Sequence, residues 1–196
     1  MTLTLDPATH VYTWQGKPVR DSVTSVLRAS GAMGEDVAHY TDASAAFGSA
    51  VHHYCRRYDE WDGDFDFDSI PDEYRPRVLA WKRWRERMDF RVVQIEEPLY
   101  NPVLQLAGTP DVVGYSIPSS EMIVVVDRKT GPIRPWHALQ LAAYLHLADV
   151  SKRSRRIAVE LRDTGEPNAV EFTDRHDWNV FLAKLTSVRW NREHTT

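Results

Sequence analysis

The alternation of apolar and polar residues separates a short N-terminal part from a longer part with mixed helix and strand patterns. Residues 10–19, HVYTWQGKPV, alternate on both sides of Gln15-Gly16 and predict a β-hairpin. A short helix is expected over residues 22–29, ended by Gly31. Together these elements predict an N-terminal hairpin and helix lobe over residues 1–41.

The next element is a long helix. It is expected to begin at Asp42, a favoured N-cap residue type, and to end near the acidic run DEWDGDFDFD at residues 59–68, which is typical of a solvated loop. Its face toward the sheet is expected to carry Ala45, Val51 and Cys55.

A second long helix is predicted over residues 71–88. Its aromatic and basic residues could stack nucleobases, but their helical spacing favours a core stripe with a basic solvent side. The predicted stripe consists of Val78, Trp81, Trp84 and Met88.

From residue 91 the pattern changes to strands that alternate with helices. Extended segments are predicted at residues 91–100, 104–117, 121–129, 155–161 and 169–172, and helices at 136–148 and from 174 to about 190. The order helix, three strands, helix, strand predicts an α/β fold with a mixed central β-sheet flanked by helices. Residues 42–196 would form this core together with a C-terminal helix.

Composition narrows the class of protein. The 196 residues, 42% of them hydrophobic, are enough for one core and predict a single domain. A lone cysteine, Cys55, and the lack of a signal-like or membrane-spanning segment favour a cytoplasmic protein with no membrane partner. The net charge of −4 neither supports nor excludes DNA binding, so phosphate contacts would have to be local or carried by metal ions.

Charged residues end the apolar strand VVVDRKTGP, at residues 124–132. Asp127 and Lys129 lie two apart and share a face of this strand, whereas Arg128 points to the opposite face. A neighbouring antiparallel strand could bring Asp111 beside Asp127. Two adjacent carboxylates repel each other unless a cation lies between them, and their oxygens suit Mg²⁺ or Mn²⁺. The simpler alternative is a strand end with a surface ion pair.

The spacing of Pro110-Asp111 and Asp127-Arg128-Lys129 resembles the PD-(D/E)XK nuclease superfamily. Further segments resemble its RecB-like, phage-type exonuclease branch, which carries G-x-x-x-H, G-x-x-D, D-x-K-T-G and Q-x-x-x-Y signatures in this order. They are residues 48–52 (GSAVH), 108–111 (GTPD), 127–131 (DRKTG) and 140–144 (QLAAY). Two positions depart from the pattern: Arg128 replaces an aromatic residue, and the acid expected upstream of Asp111 is either Glu97 or absent.

The resemblance implies a restriction-endonuclease-like core and a metal-dependent deoxyribonuclease, most similar to exonucleases of phage or recombination and repair pathways. It implies Mg²⁺ or Mn²⁺ as cofactor and DNA with double- or single-stranded ends as substrate, in the bacterial cytoplasm. A structure-selective endonuclease and a catalytically silent DNA-binding protein are the alternatives, and a homo-oligomer or a recombination partner protein stays open. The implied metal ligands are His52, Asp111, Asp127 and the carbonyl of Arg128, and the implied catalytic residues are Asp111, Asp127, Lys129, Gln140 and Tyr144.

Several of these residues also have ordinary structural interpretations. His52 could be a buried structural histidine, and its neighbour His53 could take the same role. Gln140 could mark the edge of a helix core face. The basic segment SKRSRR, residues 151–156, could touch DNA phosphates but is more typical of a solvated loop, while Trp136 and His137 are close enough in sequence to contact a strand end.

Overall fold

The computed structural model describes residues 3–6, 9–34, 41–61, 65–116, 122–148 and 153–195. Its N-terminal part contains strands β1 (Leu3–Asp6), β2 (Val11–Trp14), β3 (Lys17–Pro18) and β4 (Asp21–Ser22), followed by helix α1 (Val23–Ala29). The predicted hairpin is confirmed: β2 pairs with β3, and Gln15 and Gly16 both have positive φ values, as a tight turn between twisted strands requires. Strand β1, which was not predicted, pairs antiparallel with β2.

Two helices follow, α2 (Asp42–Glu60) and α3 (Arg75–Met88). The N-cap of α2 is Thr41 rather than the predicted Asp42, because Thr41 and Ser44 exchange hydrogen bonds in a capping box. Helix α3 begins four residues later than predicted. Pro76 has no amide proton to donate to the carbonyl of Asp72, so an α-helix cannot start at residue 71.

The acidic run at residues 59–68 is not simply a solvated loop. Asp59 and Glu60 belong to α2, and Asp59 and Phe65 are buried. Residues 62–64 lie outside the described residues.

Two further sheets carry the rest of the chain. Strands β6 (Leu99–Asn101) and β7 (Leu106–Gly108) form a small sheet with β4. The central sheet has the order β11-β10-β9-β8-β5 and is built from β5 (Phe90–Ile95), β8 (Val112–Ser116), β9 (Ile123–Lys129), β10 (Ser154–Leu161) and β11 (Pro167–Glu171). Strands β9 and β10 are parallel and the other pairs antiparallel, which confirms the predicted mixed sheet.

The predicted segments 91–100 and 104–117 each split into two strands. The first breaks at Glu96, whose φ of 49° is left-handed and cannot continue a strand. The second breaks at residues 109–111, so Asp111 lies in the connection between β7 and β8. This break moves the chain from the small sheet to the central sheet.

Helices α4 (Trp136–Leu147) and α5 (Asp177–His194) complete the fold. Helix α5 starts three residues later than predicted, since Asp174 turns back to accept a hydrogen bond from the amide of His176. The basic segment 151–156 is not a solvated loop over its described part, because residues 154–156 belong to β10 and Arg155 pairs with Glu171.

Helices cover both faces of the central sheet. On one face, Val124 and Val126 pack in a cluster with residues of α2 and α3, including the predicted stripe Val78, Trp81 and Trp84. On the other face, Val125 packs with residues of α1, α4 and α5. None of the described helices is long and apolar enough to span a lipid bilayer.

The N-terminal part is tied to the C-terminal helix. The side chain of Asp21 is fully buried and accepts hydrogen bonds from Arg189 at 2.7 Å and Arg192 at 3.0 Å. These bonds hold β4, at the edge of the small sheet, against α5.

Candidate active site

The predicted site residues line one cleft of about 1420 Å³. Its walls come from β1, one side of α2 from residue 44 to residue 56, the start of α3, the end of β9 and the side of α4 that carries residues 136–144. All seven residues take part: His52, Asp111, Asp127, Arg128, Lys129, Gln140 and Tyr144.

The two acids meet because of strand register. Strands β8 and β9 are antiparallel, with Val112 opposite Val126, so Asp111 comes next to Asp127 one position further on. The amide of Arg128 donates a hydrogen bond of 2.6 Å to Oδ2 of Asp111. This bond fixes the Asp111 carboxylate against the end of β9.

The two carboxyl groups differ in their affinity for a proton. Burial raises the pKa of Asp127 to about 6; Lys129 opposes this effect and the charge of Asp111 adds to it. Burial also favours protonated Asp111, but His52, followed by Arg128 and Lys129, outweighs it and holds the pKa of Asp111 below its usual value. The charge of Asp127 is therefore the more costly of the two, whereas the charge of Asp111 is favoured by its cationic neighbours.

Lys129 joins the acids to helix α4. Its Nζ lies 2.6 Å from Oδ2 of Asp127 and donates to Oε1 of Gln140 at 3.1 Å. Gln140 in turn donates to the hydroxyl of Tyr144 at 3.0 Å, across one helical turn. Gln140 is buried among core residues of α4, but its amide faces the lysine.

His52 faces the acids. Its Nδ1 lies 3.4 Å from Oδ1 of Asp111, so its ring is not turned into the core. His53 is exposed and packs edge-on against Tyr54. Val51 and Cys55 face the sheet as predicted, but Ala45 is exposed, because the first turns of α2 border the open cleft.

The carboxylate and carbonyl oxygens of the cleft can be compared with the ligands that a divalent metal ion requires. Among the described residues, no group of three or more His, Cys, Asp or Glu side chains could hold a metal. Mg²⁺ needs only one or two carboxylates, with water and substrate oxygens completing its shell, and Asp111, Asp127 and the Arg128 carbonyl are donors of this kind. Beyond its ion pair with Lys129, Oδ2 of Asp127 has no hydrogen-bond partner in the described part of the chain. This donor set fits Mg²⁺ or Mn²⁺; His52 as a further ligand stays a prediction.

Three residues of interest escaped the sequence analysis. The acid beside the cleft is Glu96, not Glu97, which is exposed. Glu96 lies 3.0 Å from Arg128 and 3.5 Å from Arg56, and its amide donates to the carbonyl of Asp111. Asp59 belongs to the run that is expected to be a solvated loop, yet its side chain is fully buried. Arg77 lies over Phe47, 4.7 Å from the ring centroid, and lines the cleft.

The sequence alone does not distinguish Glu96 from Glu97, because only the backbone turn at this position decides which of the two acids faces the cleft. For Asp59, the apolar spacing of α2 continues through Val51 and Cys55 to Tyr58, and this spacing could have extended the helix to include it.

No protein-family model and no curated protein matches this chain. Several solved structures are similar to it, including the following two. One is an alkaline exonuclease (LHK-Exo) from Laribacter hongkongensis, with 13% identity, 88% of this chain and 91% of that chain covered, and a TM-score of 0.40. The other is SSO0001, with 13% identity, 84% of each chain covered and a TM-score of 0.38.

Proposed function

We propose that residues 1–196 form one metal-dependent deoxyribonuclease domain of the PD-(D/E)XK superfamily, most similar to its RecB-like and phage-type exonucleases. The observation that carries this proposal is the convergence of four sequence motifs on one cleft: His52, Asp111, the pair Asp127 and Lys129, and Gln140 with Tyr144. A surface ion pair at a strand end would not need these distant segments to meet.

The charges of the cleft support a polyanionic substrate. The chain has a net charge of −4, yet Arg56, Arg77, Lys129 and Arg134 line this cleft together with the acids. Cations gathered in one place attract phosphates locally although the protein as a whole is acidic. The proposed substrate is DNA, processed in phage or recombination pathways in the bacterial cytoplasm.

This proposal gives each of the predicted site residues a role in the reaction. Asp111, Asp127 and the carbonyl of Arg128 would hold Mg²⁺ or Mn²⁺, with His52 beside Asp111. When bound, such an ion supplies a water of lowered pKa and neutralises charge on the phosphate.

Lys129 would orient the attacking water or stabilise charge that develops on the phosphoryl oxygens. Its bonds to Asp127 and Gln140 hold the ammonium in place before substrate arrives. Tyr144 fixes the amide of Gln140, so the two residues of α4 position the lysine.

Purified protein should be incubated with end-labelled linear, circular and single-stranded DNA, with and without Mg²⁺. We expect metal-dependent loss of label from linear ends and no cleavage of circles. Nicked or linearised circles would identify the endonuclease alternative. DNA binding without cleavage under any metal would identify the silent DNA-binding alternative and overturn the proposal.

The matched variants are Asp111→Ala and Asp127→Ala. Each should abolish Mg²⁺-dependent cleavage and leave the fold intact by circular dichroism, since removing one acid also removes the repulsion between them. Full activity in both variants would refute the metal site proposed here.

A further inference from the structure

Arg128 is a fully buried cation whose contacts reach three separate elements. Its guanidinium donates to Asp59 of α2 at 3.1 Å and to Glu96 after β5 at 3.0 Å. Its centre lies 5.4 Å from the ring centroid of Trp81 in α3. The backbone amide of the same residue holds Asp111. Arg128 therefore links Asp111 in the cleft to helices α2 and α3 on one face of the central sheet.

Asp59 completes this arrangement from α2. Its other oxygen accepts hydrogen bonds from Trp81 at 2.8 Å and Arg85 at 2.9 Å. Asp59 follows His52 by seven residues, which is close to two helical turns, so the two side chains leave the same face about 10 Å apart along the axis. The contact of Asp59 with Arg128 and the contact of His52 with Asp111 therefore lie on the same side of α2.

Stability alone does not explain these buried charges. Apolar residues of similar volume usually stabilise a core as well as a buried ion pair does, because they avoid the desolvation cost. The Nε of Arg128 also lacks a hydrogen-bond partner among the described residues, which adds to that cost. Such a network is better suited to fixing geometry than to gaining stability.

We propose that Asp59 and Arg128 are positioning residues, whose ion pair fixes α2 against β9 and so sets His52 and Asp111 in register for the reaction. This inference rests on the proposed function for its kinetic consequences.

The variants that test this inference are Arg128→Met, Asp59→Asn and the two combined. Methionine keeps the backbone groups of residue 128, and asparagine keeps an acceptor for Trp81. The double variant removes both charges of this pair, although Glu96 and Arg85 each lose one contact, so its loss of Tm should be smaller than the sum of the two single losses. Its kcat should nevertheless fall by about 10-fold or more with KM changed by less than about 3-fold, because small displacements of reacting groups are costly.

Two controls separate positioning from general destabilisation. Asp177→Asn breaks the pair between Asp177 and Arg156, which are 2.9 Å apart, mostly buried and not part of the cleft lining; it should change Tm without changing kcat. Arg128→Lys should fold but not restore kcat, since lysine cannot contact two acids in fixed directions. Recovery of kcat in the double variant, full kcat in Arg128→Lys, or a kcat that follows Tm in every variant would overturn the inference.

A structural measurement decides the inference without catalysis. The ring resonances of His52 in metal-free protein should shift in the double variant and stay in place in Asp177→Asn. If the wild-type protein cleaves no DNA, the proposed function fails while these resonances still test the positioning: a shift supports it, and unchanged His52 resonances overturn it.

Discussion

Lys129 contacts an acid and an amide in the cleft, but its ammonium has no lone pair with which to coordinate a metal. We therefore expect Lys129→Ala to bind Mn²⁺ at least as tightly as wild type by calorimetry, and to lose about 10²- to 10⁴-fold in kcat. Lys82→Ala, at a position of α3 that does not line the cleft, is the matched control and should keep both values. Metal affinity that collapses together with turnover would show that the role given to Lys129 is wrong.

His52 and His53 are neighbours with different surroundings, since only His52 faces Asp111. His52→Ala should weaken Mn²⁺ binding and reduce cleavage sharply, because Asp111 loses the group that favours its ionised form. His53→Ala should change neither the Mn²⁺ affinity nor the cleavage rate by more than about 3-fold, because substitutions at exposed positions usually have small effects. Calorimetry and initial rates on both variants are the measurements, and equal losses in the two would contradict the assignment.

His137 should make the stability of the protein depend on pH. Burial, followed by the charges of Lys129 and Arg134, lowers the pKa of His137 to about 3. Its Nδ1 accepts the amide proton of Arg134, and its Nε2 has no partner in the described part of the chain. His137 binds a proton near pH 6.5 in the unfolded chain, but only near pH 3 in the folded chain. The free energy of unfolding therefore has its full value above pH 6.5 and decreases as pH falls toward 3.

The wild-type protein should therefore lose about 2 kcal/mol of unfolding free energy between pH 7 and pH 5, and a variant without this imidazole should not show this loss. His137→Asn keeps an acceptor for the Arg134 amide, and its denaturation midpoint should fall less over this range than that of wild type. His146→Asn, which replaces an exposed histidine of the same helix, should leave the slope unchanged. Identical slopes in all three proteins would show that His137 titrates normally.

The candidate site was predictable where local spacing decides it. Asp127 and Lys129 share a strand face by alternation, and Gln140 and Tyr144 share a helix face by their spacing of four. Asp59 and Glu96 were missed because they depend on where a helix ends and on one left-handed residue. Such features follow from tertiary packing, which a single sequence does not display.

Strand β7 packs closely against two helices at Gly108. A Cβ atom there would lie 2.8 Å from Cε1 of Tyr144, 2.9 Å from Val23 and 3.0 Å from Leu147. Gly108→Ala should therefore cost about 1–3 kcal/mol by overpacking and displace Tyr144 from Gln140. Thermal unfolding should show a Tm lower by several degrees, and cleavage should slow as well.

The matched control for Gly108 is Gly131, where an added Cβ meets nothing within 4 Å. Gly131→Ala should keep the wild-type Tm. Equal Tm values for the two variants would mean that α4 can move away from β7 without cost.

Individual elements were predicted best where a residue type fixes the backbone. Gln15-Gly16 marked the hairpin, and apolar periodicity marked α4 to within one residue. The breaks at Glu96 and before Asp111 were missed, because the residues on either side continue a strand-like pattern. Strand β1 was missed since four residues that pair with a hairpin carry too short a pattern to recognise.

The charge distribution of the protein predicts how DNA binding responds to salt. If Arg56, Arg77, Lys129 and Arg134 each contact a phosphate, the logarithm of affinity should fall with the logarithm of salt concentration, with a slope of about −3.6 on double-stranded DNA and about −2.8 on single strands. Arg134→Ala should make this slope shallower by about one. Fluorescence anisotropy in the presence of EDTA measures the slope without cleavage.

Arg153 offers a control outside the cleft, since it is exposed ahead of β10 and belongs to the basic segment 151–156. Arg153→Ala should leave the slope unchanged. A slope that changes with Arg153 and not with Arg134 would place the DNA on this basic segment instead.

The bond between Asp21 and Arg189 spans 168 positions of the chain and has a consequence for biosynthesis. At about 5–20 residues per second, a ribosome adds Arg189 roughly 10–30 s after Asp21. Until then the carboxylate of Asp21 in β4 lacks Arg189 and Arg192, which pair with its charge in the folded protein. Strand β1 supplies one wall of the cleft and pairs with the hairpin that leads into β4. A nascent chain can therefore secure that wall only when translation has passed Arg189. An unfinished polypeptide released before Arg189 is added would therefore lack the contacts that hold this wall of the cleft in place.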